Sequence, residues 1–159
     1  MSISMNAMSP LTRRRAPRSA AHVRGVGLIE VLVAVLVLAI GLLGVAAMQA
    51  TALRNSQSSL ERSQGVMHVY AMLDAMRANP QAARSGAYNM GLTCVVPGAG
   101  NLVANDRRAW IEAIQQNLGP TACGQAACDA GLCTITVQWD DSRGSSGSVT
   151  QQFSTTTRI

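Results

Sequence analysis

A single carboxylate, Glu30, stands at the head of a long apolar stretch. Residues 31–53 carry no charged side chain, and the next charge along the chain is Arg54. A carboxylate near the end of a membrane helix costs on the order of 2–3 kcal/mol unless a cation pairs with it. Glu30 is therefore a candidate functional residue, and the chemistry it indicates is pairing with a cation where the dielectric is low.

Four cysteines form the second group of reactive side chains, and all of them follow the apolar stretch. They are Cys94, Cys123, Cys128 and Cys133. In an exported segment such residues favour disulfides, and three pairings are possible. The spacing of the last three differs from that of common zinc sites, so we expect no metal site and no cofactor.

Catalytic side chains are few in this sequence. The chain has no lysine, and its two histidines are His22 and His68. The spacing of His68, Asp74 and the nearby serines does not indicate a catalytic triad, and a structural histidine on a helix is the simpler interpretation. We therefore expect that the protein is not an enzyme.

The apolar stretch itself predicts a membrane helix, since about 23 residues at 1.5 Å each span a bilayer core of ~30 Å. Basic residues precede it and give it an orientation, with residues 1–25 in the cytoplasm and the remainder exported. Two alternatives remain open: an ordinary secretory signal cleaved within residues 44–50, and an uncleaved signal anchor.

The net charge of +5 comes entirely from the first 25 residues. Five arginines lie there, and the other eight balance the eight acidic residues of the chain. Strong binding to nucleic acid needs clustered cations, so we expect no nucleic-acid partner for residues 26–159.

Helical periodicity continues beyond the apolar stretch. One helix is predicted over residues 26–79, about 80 Å long at the standard rise, ending at Asn79-Pro80. Its second half has one apolar face, which needs a partner domain. That face comprises Val66, Val69, Tyr70, Leu73 and Met76.

The remainder predicts a small α+β head. Residues 81–104 have the composition of a loop, and a short helix is predicted over 106–118 with Asn105 as its N-cap. The apolar face of that helix comprises Trp110, Ile111, Ile114 and Leu118. Alternation after residue 134 predicts an antiparallel hairpin that turns at 140–147, and a third strand is expected within 87–104.

The run Gly25-Val26-Gly27-Leu28-Ile29-Glu30, followed by the apolar helix and preceded by a basic leader, resembles the cleavage and assembly signature of type IV prepilins. The resemblance implies that a membrane prepilin peptidase cuts after Gly25 and methylates the new amino terminus on Val26. It also implies that Glu30 pairs with that amine in a neighbouring subunit. The expected domains are a leader at 1–25, which is removed, a membrane and assembly helix at 26–54, and an exported pilin head at 55–159.

The order of the elements, with Val137-Gln138-Trp139-Asp140-Asp141-Ser142-Arg143-Gly144 near the end, resembles the type IV pilus modification protein family, the minor pilins of the PilV kind. This resemblance implies a pilin-like α+β fold and a structural role in starting or supporting pilus assembly, hence in attachment and twitching motility. The implied partners are prepilin peptidase, other minor and major pilins and the inner membrane. The protein is expected in the inner membrane before assembly and in the pilus fibre afterwards. The alternatives are a minor pseudopilin of a type II secretion system and a pilus-tip adhesin or DNA receptor.

Overall fold

The computed structural model describes Gly25 and residues 27–159. The chain divides into two compact units between Ile40 and Gly41. The elements, in chain order, are α1 (Leu28–Ala78), α2 (Pro80–Arg84), β1 (Met90–Thr93), α3 (Leu102–Leu118), β2 (Cys123–Asp129), β3 (Leu132–Trp139) and β4 (Gln151–Arg158). Residues 1–24 of the predicted leader and Val26 lie outside the described residues.

Helix α1 agrees closely with the long helix predicted over 26–79. It begins at Leu28 and ends at Ala78, and Pro80 opens the short helix α2. Proline suits this position because the first residue of a helix needs no amide hydrogen for the helical ladder. The prediction that Asn79-Pro80 terminates the long helix is confirmed.

The buried face of α1 differs in part from the predicted one. The buried residues are Gly65, Val69, Met72, Leu73 and Met76, whereas Tyr70 is 48% exposed. These buried positions follow one helical stripe, and Tyr70 lies about 100° around the helix from Val69. The inclusion of Tyr70 was therefore wrong, and Gly65 and Met72 belong to the face instead.

Gly65 allows the close approach of α1 to the sheet. A Cβ atom placed on this residue would lie 2.9 Å from Cζ3 of Trp139, which is shorter than any normal carbon–carbon contact. Trp139 is 1% exposed, so its indole ring fills the space that a larger residue at position 65 would occupy. The missing side chain thus lets the end of β3 pack directly on the helix.

The segment predicted as a loop over 81–104 contains regular structure. It holds most of α2 and all of β1, and α3 begins within it at Leu102. The N-cap of α3 is Asn101, whose side chain accepts a hydrogen bond from the amide of Ala104 at 3.0 Å. The prediction of Asn105 as N-cap was therefore wrong. Asn105 instead exchanges two 3.0 Å hydrogen bonds with the backbone of Gly100.

The four strands form one antiparallel sheet in the order β1-β2-β3-β4. The predicted hairpin is confirmed as β3 and β4, with Val137 opposite Phe153. The predicted third strand corresponds to β1. Strand β2 was missed, and it joins β3 through a tight turn in which Ala130 and Gly131 have φ values of 45° and 81°.

The core of the head lies between the sheet and the helices α1 and α3. All four residues of the predicted apolar face of α3 are buried. The indole nitrogen of Trp110 donates a 2.8 Å hydrogen bond to the carbonyl oxygen of His68, which joins α3 to α1. The α+β, pilin-like class predicted from the sequence is therefore confirmed.

Candidate processing and assembly site

The candidate site begins at the first turn of α1. The carbonyl oxygen of Gly27 accepts hydrogen bonds from the amides of Glu30 at 2.9 Å and of Val31 at 3.3 Å, and the helix begins at Leu28. Glycine is a poor helix former, which accounts for a start just after Gly27. Glu30 therefore lies within the first turn, where a carboxylate interacts favourably with the helix dipole.

The side chain of Glu30 is exposed and is the only charged group described in the unit that ends at Ile40. It lies on an open face of α1 that is otherwise apolar. The other residues of this face are Val31, Ala34, Val35 and Leu38. Among the described residues, Glu30 forms no ion pair. Within the part of the chain that the structure describes, Glu30 thus lies on an apolar surface with no cation paired to it.

The apolar residues that follow Glu30 are exposed. The most apolar window of α1 has a mean hydropathy of 2.9, and none of that window is buried. Within the described part of the chain, α1 is the one helix long and apolar enough to cross a membrane. The length and apolar composition of this segment fit a membrane anchor.

Of the sequence-predicted processing residues, the structure describes Gly25 and Glu30. Gly25 is exposed, and among the described residues no atom lies within 4 Å of a Cβ placed on it. Val26, the predicted first residue after cleavage and site of methylation, lies outside the described residues. Cleavage, methylation and the pairing of Glu30 remain predictions.

The four cysteines are joined in two disulfides, one of the three pairings that the sequence left open. Cys94 pairs with Cys123, and Cys128 pairs with Cys133. The first bond ties the end of β1 to the start of β2, and the second crosses the β2–β3 hairpin, where the two cysteines lie opposite each other. No sulfur among these four is left as a thiolate ligand for a metal.

His68 has a structural environment in the head. Its Nε2 lies 3.0 Å from the side-chain nitrogen of Asn117, and burial lowers the pKa of the imidazole. Asp74 forms its ion pair with Arg77 instead, at 2.9 Å. His68 and Asp74 therefore contact different residues. This agrees with the interpretation of His68 as a structural histidine on a helix.

One polar cluster in the head was not foreseen from the sequence. Asp141 is 1% exposed, and its carboxylate accepts a 2.7 Å hydrogen bond from the hydroxyl of Ser58 and lies 3.4 Å from the guanidinium of Arg62. The sequence indicated only a turn at this position. Because both partners belong to α1, the cluster fixes the loop after β3 on the helix.

A comparison with protein families matched residues 21–46 to the prokaryotic N-terminal methylation motif. Curated proteins and solved structures gave no match to the chain. The matched residues contain Gly25, Val26 and Glu30 and extend into the exposed apolar part of α1. The motif implies processing by a prepilin peptidase and assembly with other pilins. With the α+β arrangement of the head, it supports a type IV pilin-like protein, either a pilin or a pseudopilin.

Proposed function

We propose that this protein is a minor pilin that helps to start or support the assembly of type IV pili, and through them attachment and twitching motility. The observation that carries the proposal is Glu30, a carboxylate without a described cation at the head of an exposed apolar helix, within the N-terminal methylation motif. All cysteines of the head are in disulfides, which fits a structural role for this part of the protein.

The proposed processing step creates the cation that Glu30 needs. Cleavage of the Gly25–Val26 peptide bond frees an amine on Val26, and methylation leaves that amine positively charged. Two such groups are each costly in an apolar environment, and removing one partner of a buried pair typically costs about 3–5 kcal/mol. In the assembled fibre, Glu30 of one subunit neutralises the amine of an axially shifted neighbour.

The proposed topology follows from the charge and the disulfides. Five arginines within residues 1–25 hold the leader in the cytoplasm, residues 26–54 cross the inner membrane, and the head at 55–159 faces the periplasm. An oxidising compartment agrees with the two disulfides of the head. After assembly the subunit lies in the pilus fibre beside major and other minor pilins.

The proposal is tested with three variants in a strain that lacks the native gene. Gly25→Arg should block cleavage, so that the protein keeps its leader and pili are lost. Glu30→Ala should be cleaved normally but fail to enter the pilus, because the new amine has no counter-charge. Glu30→Asp retains the carboxylate and serves as the matched control, which should restore part of the piliation.

Two readouts separate the outcomes. Immunoblots distinguish cleaved from uncleaved protein, and electron microscopy of sheared pili with antibody against the head measures incorporation. Normal piliation by Glu30→Ala would contradict the proposal. Loss of exoprotein secretion with intact pili would instead identify a pseudopilin of a type II secretion system.

A further inference from the structure

The spacing of the cysteines along the chain does not by itself favour the observed disulfides. Cys123 precedes Cys128 by 5 positions, the same separation as between Cys128 and Cys133. Because the entropy of loop closure depends on loop length, an unfolded chain would close these two loops about equally often. A bond between Cys123 and Cys128 would leave Cys94 to pair with Cys133, which is a non-native arrangement. Chain separation alone therefore does not select the native bonds.

The register of the sheet does distinguish the native pairs. Cys123 is the first residue of β2, and Cys128 is the last but one. At ~3.3 Å per residue they lie about 17 Å apart in an extended strand, whereas the Cα atoms of a disulfide lie within about 7 Å of each other. Cys133 lies opposite Cys128, and the end of β1, next to Cys94, pairs with the start of β2. The sheet thus brings the two native pairs together and keeps every other pair apart.

The β2–β3 hairpin is the local part of this register. Its turn consists of Ala130 and Gly131, both with positive φ, a conformation that matches the twist of two paired strands. The pairing of β2 with β3 is continuous from one end of β2 to the other. Hairpins form in about 1–10 μs, whereas disulfides form in seconds to hours. The hairpin therefore reaches equilibrium before a bond forms, and its register decides which sulfur atoms meet.

We propose that the β2–β3 hairpin forms while the cysteines are still thiols and selects the disulfide pairing of the head. Cys128 and Cys133 are joined first, since they face each other across the hairpin. Cys94 and Cys123 are joined when β1 pairs with β2. The native arrangement then needs a disulfide-bearing oxidant and no disulfide isomerase. This inference does not rest on the proposed function.

Each bond forms by two thiol–disulfide exchange steps. One cysteine thiolate attacks a sulfur atom of the oxidant, which breaks the oxidant's disulfide and gives a mixed disulfide. The second cysteine thiolate then attacks the first cysteine's Sγ and releases the oxidant. The two cysteine thiols lose two protons and two electrons, and the oxidant leaves as two thiols.

The test identifies the first bond formed in the reduced full chain in detergent. Excess oxidised glutathione is the oxidant, and alkylation of the remaining thiols stops the reaction early. Mass spectrometry of molecules with one disulfide then shows which two cysteines are bonded. We expect Cys128–Cys133 to predominate over Cys123–Cys128 without denaturant, and the two bonds to form about equally in concentrated urea.

Two glycine variants separate the hairpin from the rest of the head. Gly131→Val places a branched residue at a φ of 81°, so the ratio of Cys128–Cys133 to Cys123–Cys128 should fall about tenfold. Gly119→Val is the matched control, because Gly119 has a φ of 102° but lies after α3, outside the hairpin. It should destabilise the head and leave the ratio unchanged. Thermal unfolding of the oxidised variants measures the destabilisation of each.

A third variant strengthens the turn, so that the proposal does not depend on loss of structure. Ala130→Asn gives the Asn-Gly pair that favours this turn, and it should raise the ratio about twofold. Equal amounts of the two bonds in the wild-type chain without urea would overturn the proposal. So would a ratio that neither Gly131→Val nor Ala130→Asn changes, or a fall in Gly119→Val as large as that in Gly131→Val.

Discussion

Removal of the two disulfides should destabilise the head unequally, because they close loops of different length. The Cys94–Cys123 bond joins residues 29 positions apart, and the Cys128–Cys133 bond joins residues 5 apart. Loop-closure entropy of the unfolded chain gives about 3.6 kcal/mol for the first and about 2 kcal/mol for the second. The long-range bond should thus contribute about 1.5 kcal/mol more to the free energy of unfolding.

The comparison uses two double variants, Cys94→Ala with Cys123→Ala and Cys128→Ala with Cys133→Ala. Neither leaves a cysteine without its partner, so disulfide exchange is avoided. Each removes one fully buried side chain, Cys123 at 2% exposure or Cys133 at 0%. Of the two partner residues, Cys128 is half-buried against the core and Cys94 is exposed, so the cavity contribution opposes the expected difference and cannot produce it.

Urea unfolding in detergent, followed by tryptophan fluorescence, measures both free energies. The chain has two tryptophans, Trp110 and Trp139, and both are buried in the head, so the signal reports unfolding of the head rather than of the apolar helix. Equal losses of stability, or a larger loss for the Cys128–Cys133 pair, would refute the loop-length reasoning.

Three further outcomes are expected from the same unfolding assay. Gly65→Ala should lower the stability of the head despite a gain in helix propensity of about 1 kcal/mol, because the added carbon overlaps Trp139; the loss should shrink when Trp139 is also replaced by leucine. Asn101→Ala should cost about 1 kcal/mol through loss of the α3 N-cap, whereas Asn101→Ser should cost much less. Burial lowers the pKa of His68 from its ordinary 6.5, so the unfolded chain takes up a proton first as the pH falls. Stability should therefore be complete above pH 6.5 and decrease below it, and His68→Gln should remove that decrease.

The helices and strands whose apolar residues repeat at a regular spacing were predictable from the sequence. The long helix lacks proline until Pro80, and the face of α3 repeats apolar residues at helical spacing, so local pattern and tertiary packing agree. In β3, the alternation of Ile135, Val137 and Trp139 marks a strand with one buried face in the same way.

Strand β2 was missed because its inward positions are small. A Cβ atom on Gly124 would lie 2.5 Å from the ring of Trp110, so this position must be glycine to let α3 pack on the sheet. Small residues and cysteines have no strong strand propensity, and the segment therefore lacks the β-branched pattern that marks β3. Its strand conformation is imposed by the packing of α3 and by pairing with β3.

The candidate processing site and the Asp141 cluster also differ in how far they could be predicted from the sequence. Gly25 and Glu30 could be recognised because their motif is contiguous in sequence. The Asp141 cluster could not, since its hydrogen bonds join residues 83 and 79 positions apart. In the sequence, Asp141 stands among turn residues, and only the packing of the loop on α1 distinguishes it from the neighbouring Asp140.

In the proposed function, peptidase cleavage gives Glu30 a cationic partner on an adjacent subunit. Mass spectrometry of the intact protein, extracted from membranes and from sheared pili, tests it most directly. We expect a chain that begins at Val26 and carries one methyl group on its amine. A protein in pili that still carries the residues before Gly25 would contradict it.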